Sequence, residues 1–186
     1  SGDTIKIGVM GPLTGNVSVY GQAVVNGATL YLKQVNEKGG INGKQLEIIA
    51  MDEQGDATQA VTCFTKMCDQ GITALVGDVT TTPTLAVAAE SADYNMPMVT
   101  ASATAEAVTY DAETDTVNGN VFRTTFTDPF QGPVLASLAK DEFNADKVYC
   151  LSENGDDYGA GLVNYFKEKA NELGIEVIED VFPSQN

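Results

Sequence analysis

At 186 residues the chain can build one complete core and part of a second. Its apolar share, 43%, is ordinary for a globular protein, yet no apolar run approaches the roughly eighteen residues that a membrane span needs. Twenty-six acidic against ten basic side chains give a net charge of −16, which serves solubility and excludes nucleic acid as a partner, because no basic stripe exists to neutralise phosphates.

Strand and helix signals alternate along the chain. Ile5 to Met10 reads as a buried strand ending at Gly11-Pro12, and a loop from Leu13 to Val19 leads into a helix from Tyr20 to Lys38. Its apolar positions Ala23, Gly27, Ala28, Tyr31 and Val35 recur at helical spacing, and Gly39-Gly40 stops it. Gln45 to Met51 is the next strand. Asp56-Ala57-Thr58-Gln59 has the pattern of an N-cap with its capping-box partner and opens a helix that ends at Gly71. Ile72 to Val76 forms the third strand. Thr80-Thr81-Thr82-Pro83 starts a helix to Tyr94, with proline in the first turn where its missing N–H does no harm. Met96 to Thr100 is the fourth strand, an irregular threonine-rich acidic stretch runs from Ala101 to Gly119, and Val121 to Thr124 is a short strand.

The domain boundary is placed there, giving a first lobe over 1–124 and a second over 125–186. In the second, Asp128-Pro129 caps a helix to Phe143, Lys147 to Ser152 is a strand, Asp157 to Leu173 is a helix closed by Gly174, and Ile175 to Val181 is a strand. Strands separated by helices of this length imply an α/β fold with a doubly wound parallel sheet. Two strands are too few to close a core, so the second lobe reads as partial and is expected to leave apolar surface exposed. The opening Ser1-Gly2-Asp3, without methionine, is what remains if an export signal has been removed.

Enzymatic chemistry finds little support. Histidine is absent, which removes the usual general base and the commonest metal ligand. Cys150 or Ser152 beside carboxylates has nothing to activate it. Cys63 and Cys68 sit five apart on one helix and point to different faces, Cys150 lies in an apolar strand, and the spacing fits no zinc or redox motif. Gly8-Val9-Met10-Gly11-Pro12-Leu13-Thr14-Gly15 lacks the lysine of a phosphate loop and the spacing of a dinucleotide fingerprint, so its glycines serve a tight turn. No cofactor and no metal are called for.

The informative positions follow consecutive strands, at the carboxyl ends where open α/β sheets bind ligands. Gly77-Asp78-Val79-Thr80-Thr81-Thr82-Pro83 places hydroxyls at a helix start, and Thr100-Ala101-Ser102-Ala103-Thr104 adds more after the next strand. Such a helix start carries partial positive charge and backbone donors, so a carboxylate can bind there without an arginine, of which the chain has only Arg123. Taken singly, these threonines are ordinary caps; the pair of segments points to a small polar ligand. Tyr20 and Tyr158 each precede a glycine at a helix start. Singly each is half-buried packing; together they suggest two aromatic walls.

The chain resembles the Leu/Ile/Val-binding proteins, the extracellular receptors of branched-chain amino acid ABC transporters. The resemblance covers nearly the whole chain. It rests on Ile5-Lys6-Ile7-Gly8-Val9 with Gly11-Pro12-Leu13-Thr14-Gly15, on Tyr20-Gly21 with Asn26-Gly27-Ala28, on Gln131-Gly132-Pro133 and on Tyr158-Gly159-Ala160-Gly161; its most specific piece is Asn36-Glu37-Lys38-Gly39-Gly40-Ile41-Asn42-Gly43. It implies a type I periplasmic-binding-protein-like fold with one lobe complete, and capture of a small amino acid, Leu, Ile or Val, between two hinged lobes. The expected partners are that ligand and a transporter permease, outside the cell membrane or in the periplasm, with membrane contact only through the permease or a lipid anchor. By the same resemblance, the ligand loops fall on Val79, Thr80 and Thr81 and on Ser102, Ala103 and Thr104. Thr81 and the Thr104 N–H would hold the carboxylate, the Ser102 carbonyl and Thr104 hydroxyl would accept from the ammonium, and Tyr20 and Tyr158 would flank the ligand. A disulfide common in relatives would join the positions of Gly55 and Thr80, so it is absent here. The rival reading is a ligand-sensing domain of a receptor or regulator for amino acids or amides, since one fold serves both.

Overall fold

The computed structural model describes residues 4–184, so the Ser1-Gly2-Asp3 opening lies outside the described residues. Two compact units are present: Ser1–Ala103 with Ala107–Thr125, and Thr104–Glu106 with Phe126–Asn186. The strip Thr104–Glu106 goes with the second unit because the Asp128 N–H donates to the Thr104 carbonyl at 3.0 Å and the Tyr165 hydroxyl donates to Glu106 at 3.1 Å.

The first unit runs β1 (Ile5–Gly11), α1 (Ser18–Glu37), β2 (Leu46–Asp52), α2 (Ala57–Asp69), β3 (Ala74–Val76), α3 (Thr81–Asp93) and β4 (Met98–Thr100). A short hairpin of β5 (Tyr110–Asp111) and β6 (Thr116–Val117) follows, then β7 (Val121–Arg123). Five strands form one parallel sheet in the order β2-β1-β3-β4-β7. The expected strands near Ile5, Gln45, Ile72, Met96 and Val121 do share a sheet. The stretch read as irregular from Ala101 to Gly119 is more ordered than expected: the Asp111 carboxylate accepts from Glu113 and Thr114 and closes the hairpin turn.

Burial explains the strands. Val9, Met10, Leu75 and Met98 are fully buried, and Ala60, Phe64 and Met67 of α2 and Val87 of α3 pack with them as the core. The Asp56 carboxylate accepts the Gln59 N–H at 2.7 Å and caps α2, while the Asp56 N–H goes to the Glu53 carbonyl, so only half of the capping box forms. The Asn-Glu-Lys-Gly-Gly-Ile-Asn-Gly run earns its specificity from geometry. Asn36 pairs with Leu46 through both its amide N–H and its oxygen, 2.8 and 2.7 Å, fastening the end of α1 to the start of β2. The Gly40 N–H closes α1 on the Val35 carbonyl.

Much of the apolar stripe on α1 is uncovered. Tyr31 is 67% exposed, and Ala23, Gly27, Ala28 and Tyr31 line an open groove of about 560 Å³ with Val76 and Ala101. Only Gly21 of α1 is buried. A Cβ there would stand 2.0 Å from the Pro12 carbonyl oxygen, so the first turn of α1 rests on the β1–α1 backbone. Gly21→Ala is expected to cost about 1–3 kcal/mol of stability, read as a lower denaturant midpoint.

The second unit contains α4 (Asp128–Asp141), β8 (Lys147–Glu153), α5 (Asp157–Glu172) and β9 (Glu176–Phe182), with β8 and β9 parallel. Thr127 rather than Asp128 occupies the N-cap of α4, because the Asp128 N–H is committed to Thr104 and its side chain is buried in the helix's first turn. Ala136, Phe166, Ala170 and Ile175 make its core, with Val148, Cys150 and Val177 against them. Alternation puts Tyr149, Leu151 and Ile178 on the other side, all exposed, as expected of a partial sheet. Cys150 is partly rather than fully buried, and all three cysteines are free.

Candidate functional site

The strand order reverses between β1 and β3, since the connection from β1 runs outward to β2 and the connection from β2 crosses back. In open α/β sheets such a switch point opens a crevice at the carboxyl ends of the strands. The segments leaving it here are Pro12–Val17, Gly77–Thr80 and, one strand further, Ala101–Thr104.

Hydroxyls tie two of these segments together. Thr100 Oγ1 donates to the Asp78 carbonyl at 2.6 Å and accepts from the Ala103 N–H at 3.1 Å; Ser102 Oγ donates to the Val79 carbonyl at 2.7 Å. The Thr80 and Ser102 loops are therefore adjacent. Val79, Thr81 and Ala103 are buried, and Ser102 is exposed. Gly77 lets the end of β3 lie close against β1: its φ is +138°, and a Cβ would stand 2.4 Å from the Met10 carbonyl oxygen.

Thr80 occupies the N-cap of α3 but makes no side-chain cap hydrogen bond; its carbonyl accepts from Thr84 Oγ1 and from the Thr84 N–H. Helices α2 and α5 differ, with Asp56 and Asp156 carboxylates capping them. The ordinary-cap reading of the threonines thus fails at Thr80, and the first turn of α3 holds no acidic side chain. The Arg123 guanidinium is engaged with the Ala103 carbonyl at 3.1 Å and with Thr109 Oγ1, so it braces the loop.

Two of the remaining candidates belong to the second unit. Thr104 is buried, and its Oγ1 has no hydrogen-bond partner among the described residues. An orphaned buried hydroxyl is costly. Tyr158 is half-buried at the start of α5, and its hydroxyl accepts from Gln131 Nε2 at 3.1 Å. Tyr20, in the first unit, is 59% exposed in the first turn of α1 beside the groove described above.

Three acidic residues under these loops escaped the sequence reading. Asp52 accepts from the Leu13 N–H at 2.8 Å and from Thr14 Oγ1 at 2.6 Å, fixing the β1–α1 loop. Burial would raise its pKa, but these bonds hold it below the ordinary carboxylate value. Glu53 and Asp78 are fully buried. Burial pushes Glu53 up to about 7 and Asp78 well above the usual carboxylate range. The only signal in the sequence was position, Glu53 directly after β2 and Asp78 directly before the hydroxyl-rich loop. Among the described residues no group of three His, Cys, Asp or Glu could hold a metal ion.

The chain is 34% identical over 175 residues to the leucine-, isoleucine-, valine-, threonine- and alanine-binding protein of Pseudomonas aeruginosa, an alignment covering 94% of this chain and 45% of that one. A leucine-binding protein from Thermotoga maritima superposes with a TM-score of 0.88 at 30% identity, covering 98% of this chain and 50% of that one. A branched-chain amino acid transporter substrate-binding protein from Streptococcus pneumoniae, solved with isoleucine, gives 0.86 at 30% identity, covering 99% and 51%. The chain thus spans about half the length of these relatives, which are substrate-binding proteins and not enzymes. With the five-stranded parallel sheet and its switch-point loops in place, the match of residues 4–186 to the periplasmic binding protein family settles membership: the chain belongs to that family.

Proposed function

We propose that this chain supplies the amino-acid-recognising part of the solute-binding component of an ABC importer, with a branched-chain amino acid as ligand. The observation that carries the reading is the uncapped start of α3, where buried Thr81 begins a helix that no side-chain carboxylate caps. A ligand carboxylate fits such a start through backbone N–H groups and the Thr81 hydroxyl. The unpartnered Thr104 hydroxyl and the Ser102 carbonyl are the acceptors for its ammonium group, and the Thr104 N–H adds to the carboxylate's donors. Val79 and Ala103 give the site apolar walls, Thr80 shapes the loop, and Tyr20 and Tyr158 contribute further contacts in the full-length protein. A permease at the outer face of the cell membrane, reached from the periplasm or extracellular space, is the partner this role requires. No described helix is long and apolar enough to cross a membrane.

The names of the relatives support the ligand class. Calorimetric titration of the full-length protein with leucine, isoleucine and valine tests it. Saturable one-to-one binding of at least one of the three is expected. Binding of none of them, with uptake of an amide or an aromatic acid instead, would overturn the reading.

A further inference from the structure

Beneath the loop that begins α3, two carboxyls face each other without a cation. Glu53, in the β2–α2 loop, and Asp78, in the β3–α3 loop, are both 0% exposed, and the Glu53 carboxyl lies close enough to push the Asp78 carboxyl upward. Each carboxyl has one oxygen engaged with backbone: Glu53 Oε2 accepts the Gly55 N–H at 2.6 Å, and Asp78 Oδ1 accepts the Val79 N–H at 2.5 Å. The other oxygens, Glu53 Oε1 and Asp78 Oδ2, are buried and have no hydrogen-bond partner among the described residues. Two ionised carboxylates in that arrangement would repel each other and leave both oxygens unsatisfied. One proton between them satisfies both.

We propose that Glu53 and Asp78 form a single positioning unit, in which a shared proton clasps the β2–α2 loop to Gly77–Thr81 and keeps that segment shaped for its ligand. The consequence rests on the amino-acid reading: the affinity of the full-length protein for leucine falls as the pair loses its proton. The path is short. Asp78 holds the Val79 N–H through its side chain and the Thr100 hydroxyl through its carbonyl, and Thr81 follows three residues later.

The charges around the pair set the direction. Asp52 and Asp56 flank Glu53 and oppose its ionisation, and Cys63 of α2 is a thiol held un-ionised by burial, with Lys66 acting on it from the same helix. Burial is the largest cause for both carboxyls, and Glu53 raises Asp78 further. Proton loss therefore begins as pH rises through about 7.

The test uses the full-length protein with ¹³C-labelled carboxyls, titrated by NMR from about pH 4 to about pH 9, beside calorimetry with leucine as probe. The expected result has three parts. The Glu53 and Asp78 carboxyl carbons titrate together at or above neutrality, and the Val79 and Thr81 amide resonances of the ligand-free protein move with the same midpoint. Leucine affinity then falls about fivefold or more from pH 6 to pH 8.5. Asp78→Asn, which keeps a donor toward Glu53 and an acceptor for Val79 without titrating, retains leucine binding and flattens the pH profile; Glu53→Gln serves if that variant does not fold. Carboxyls titrating near ordinary carboxylate values, or Val79 and Thr81 amides indifferent to the pair, would overturn the proposal, as would a pH profile unchanged by Asp78→Asn. Failure of wild type to bind leucine at any pH would instead sink the ligand assignment, while the carboxyl and amide titrations still decide the shared proton.

Discussion

Replacing Thr81 by valine in the full-length protein is expected to weaken leucine binding roughly tenfold or more, because a hydrogen bond to a charged group contributes on the order of 1.5–3 kcal/mol. Valine matches threonine in shape, so buried Thr81 is replaced without a cavity, and the loss falls on the hydroxyl. The fold should survive, since none of the hydrogen bonds that tie the loops depends on that hydroxyl: Thr100 holds Asp78, Ser102 holds Val79, and Thr84 holds Thr80. The control is Thr58→Ala, which removes an exposed hydroxyl from the second residue of α2 and should leave affinity unchanged. Calorimetry on the three proteins checks the expectation. Equal affinity in Thr81→Val and wild type would remove the carboxylate from the start of α3.

The largest stability effect is expected from Phe64→Ala. Phe64 is fully buried on the face of α2 that covers the sheet, and its ring meets Tyr94 edge-on at 5.4 Å. Truncating such a ring costs about 3–5 kcal/mol, the lost transfer energy plus a cavity that the neighbours fill only in part. For a domain of this size that corresponds to a fall in melting temperature of roughly 10 °C. Ala60 and Met67 flank it on the same helix face, and the sheet they support positions both ligand loops. The variant should bind leucine with near wild-type affinity at low temperature and lose binding with its fold on heating. A melting temperature unchanged from wild type would show that α2 contributes little to holding the sheet.

The parallel sheet was legible because each strand is a short apolar run bounded by a glycine, proline or cap, and because helical spacing fills the intervals. The Val79–Thr81 and Ser102–Thr104 segments were legible for the same reason, as hydroxyls at strand ends. Other features depend on tertiary partners that a local pattern does not name. The stripe Ala23, Gly27, Ala28, Tyr31 has helical periodicity, yet periodicity gives the apolar face and not what covers it, and here it lines an open groove. Asp128 looks like an N-cap, but Thr104 takes its N–H and moves the cap to Thr127. Glu53 and Asp78 lie in different loops, and only the fold makes them neighbours. Polar residues are ordinarily read as surface, so nothing local marks these two as buried.

The start of α3 as carboxylate site is the claim on which the function rests, and a crystal structure of the full-length protein with leucine tests it most directly. The ligand carboxylate should lie within hydrogen-bonding distance of the Thr81 hydroxyl and the Thr104 N–H, with the ammonium group on the Ser102 carbonyl and Thr104 Oγ1. Leucine bound elsewhere, or bound with its carboxylate on an arginine or lysine and no contact to Thr81 or Thr104, would contradict the account.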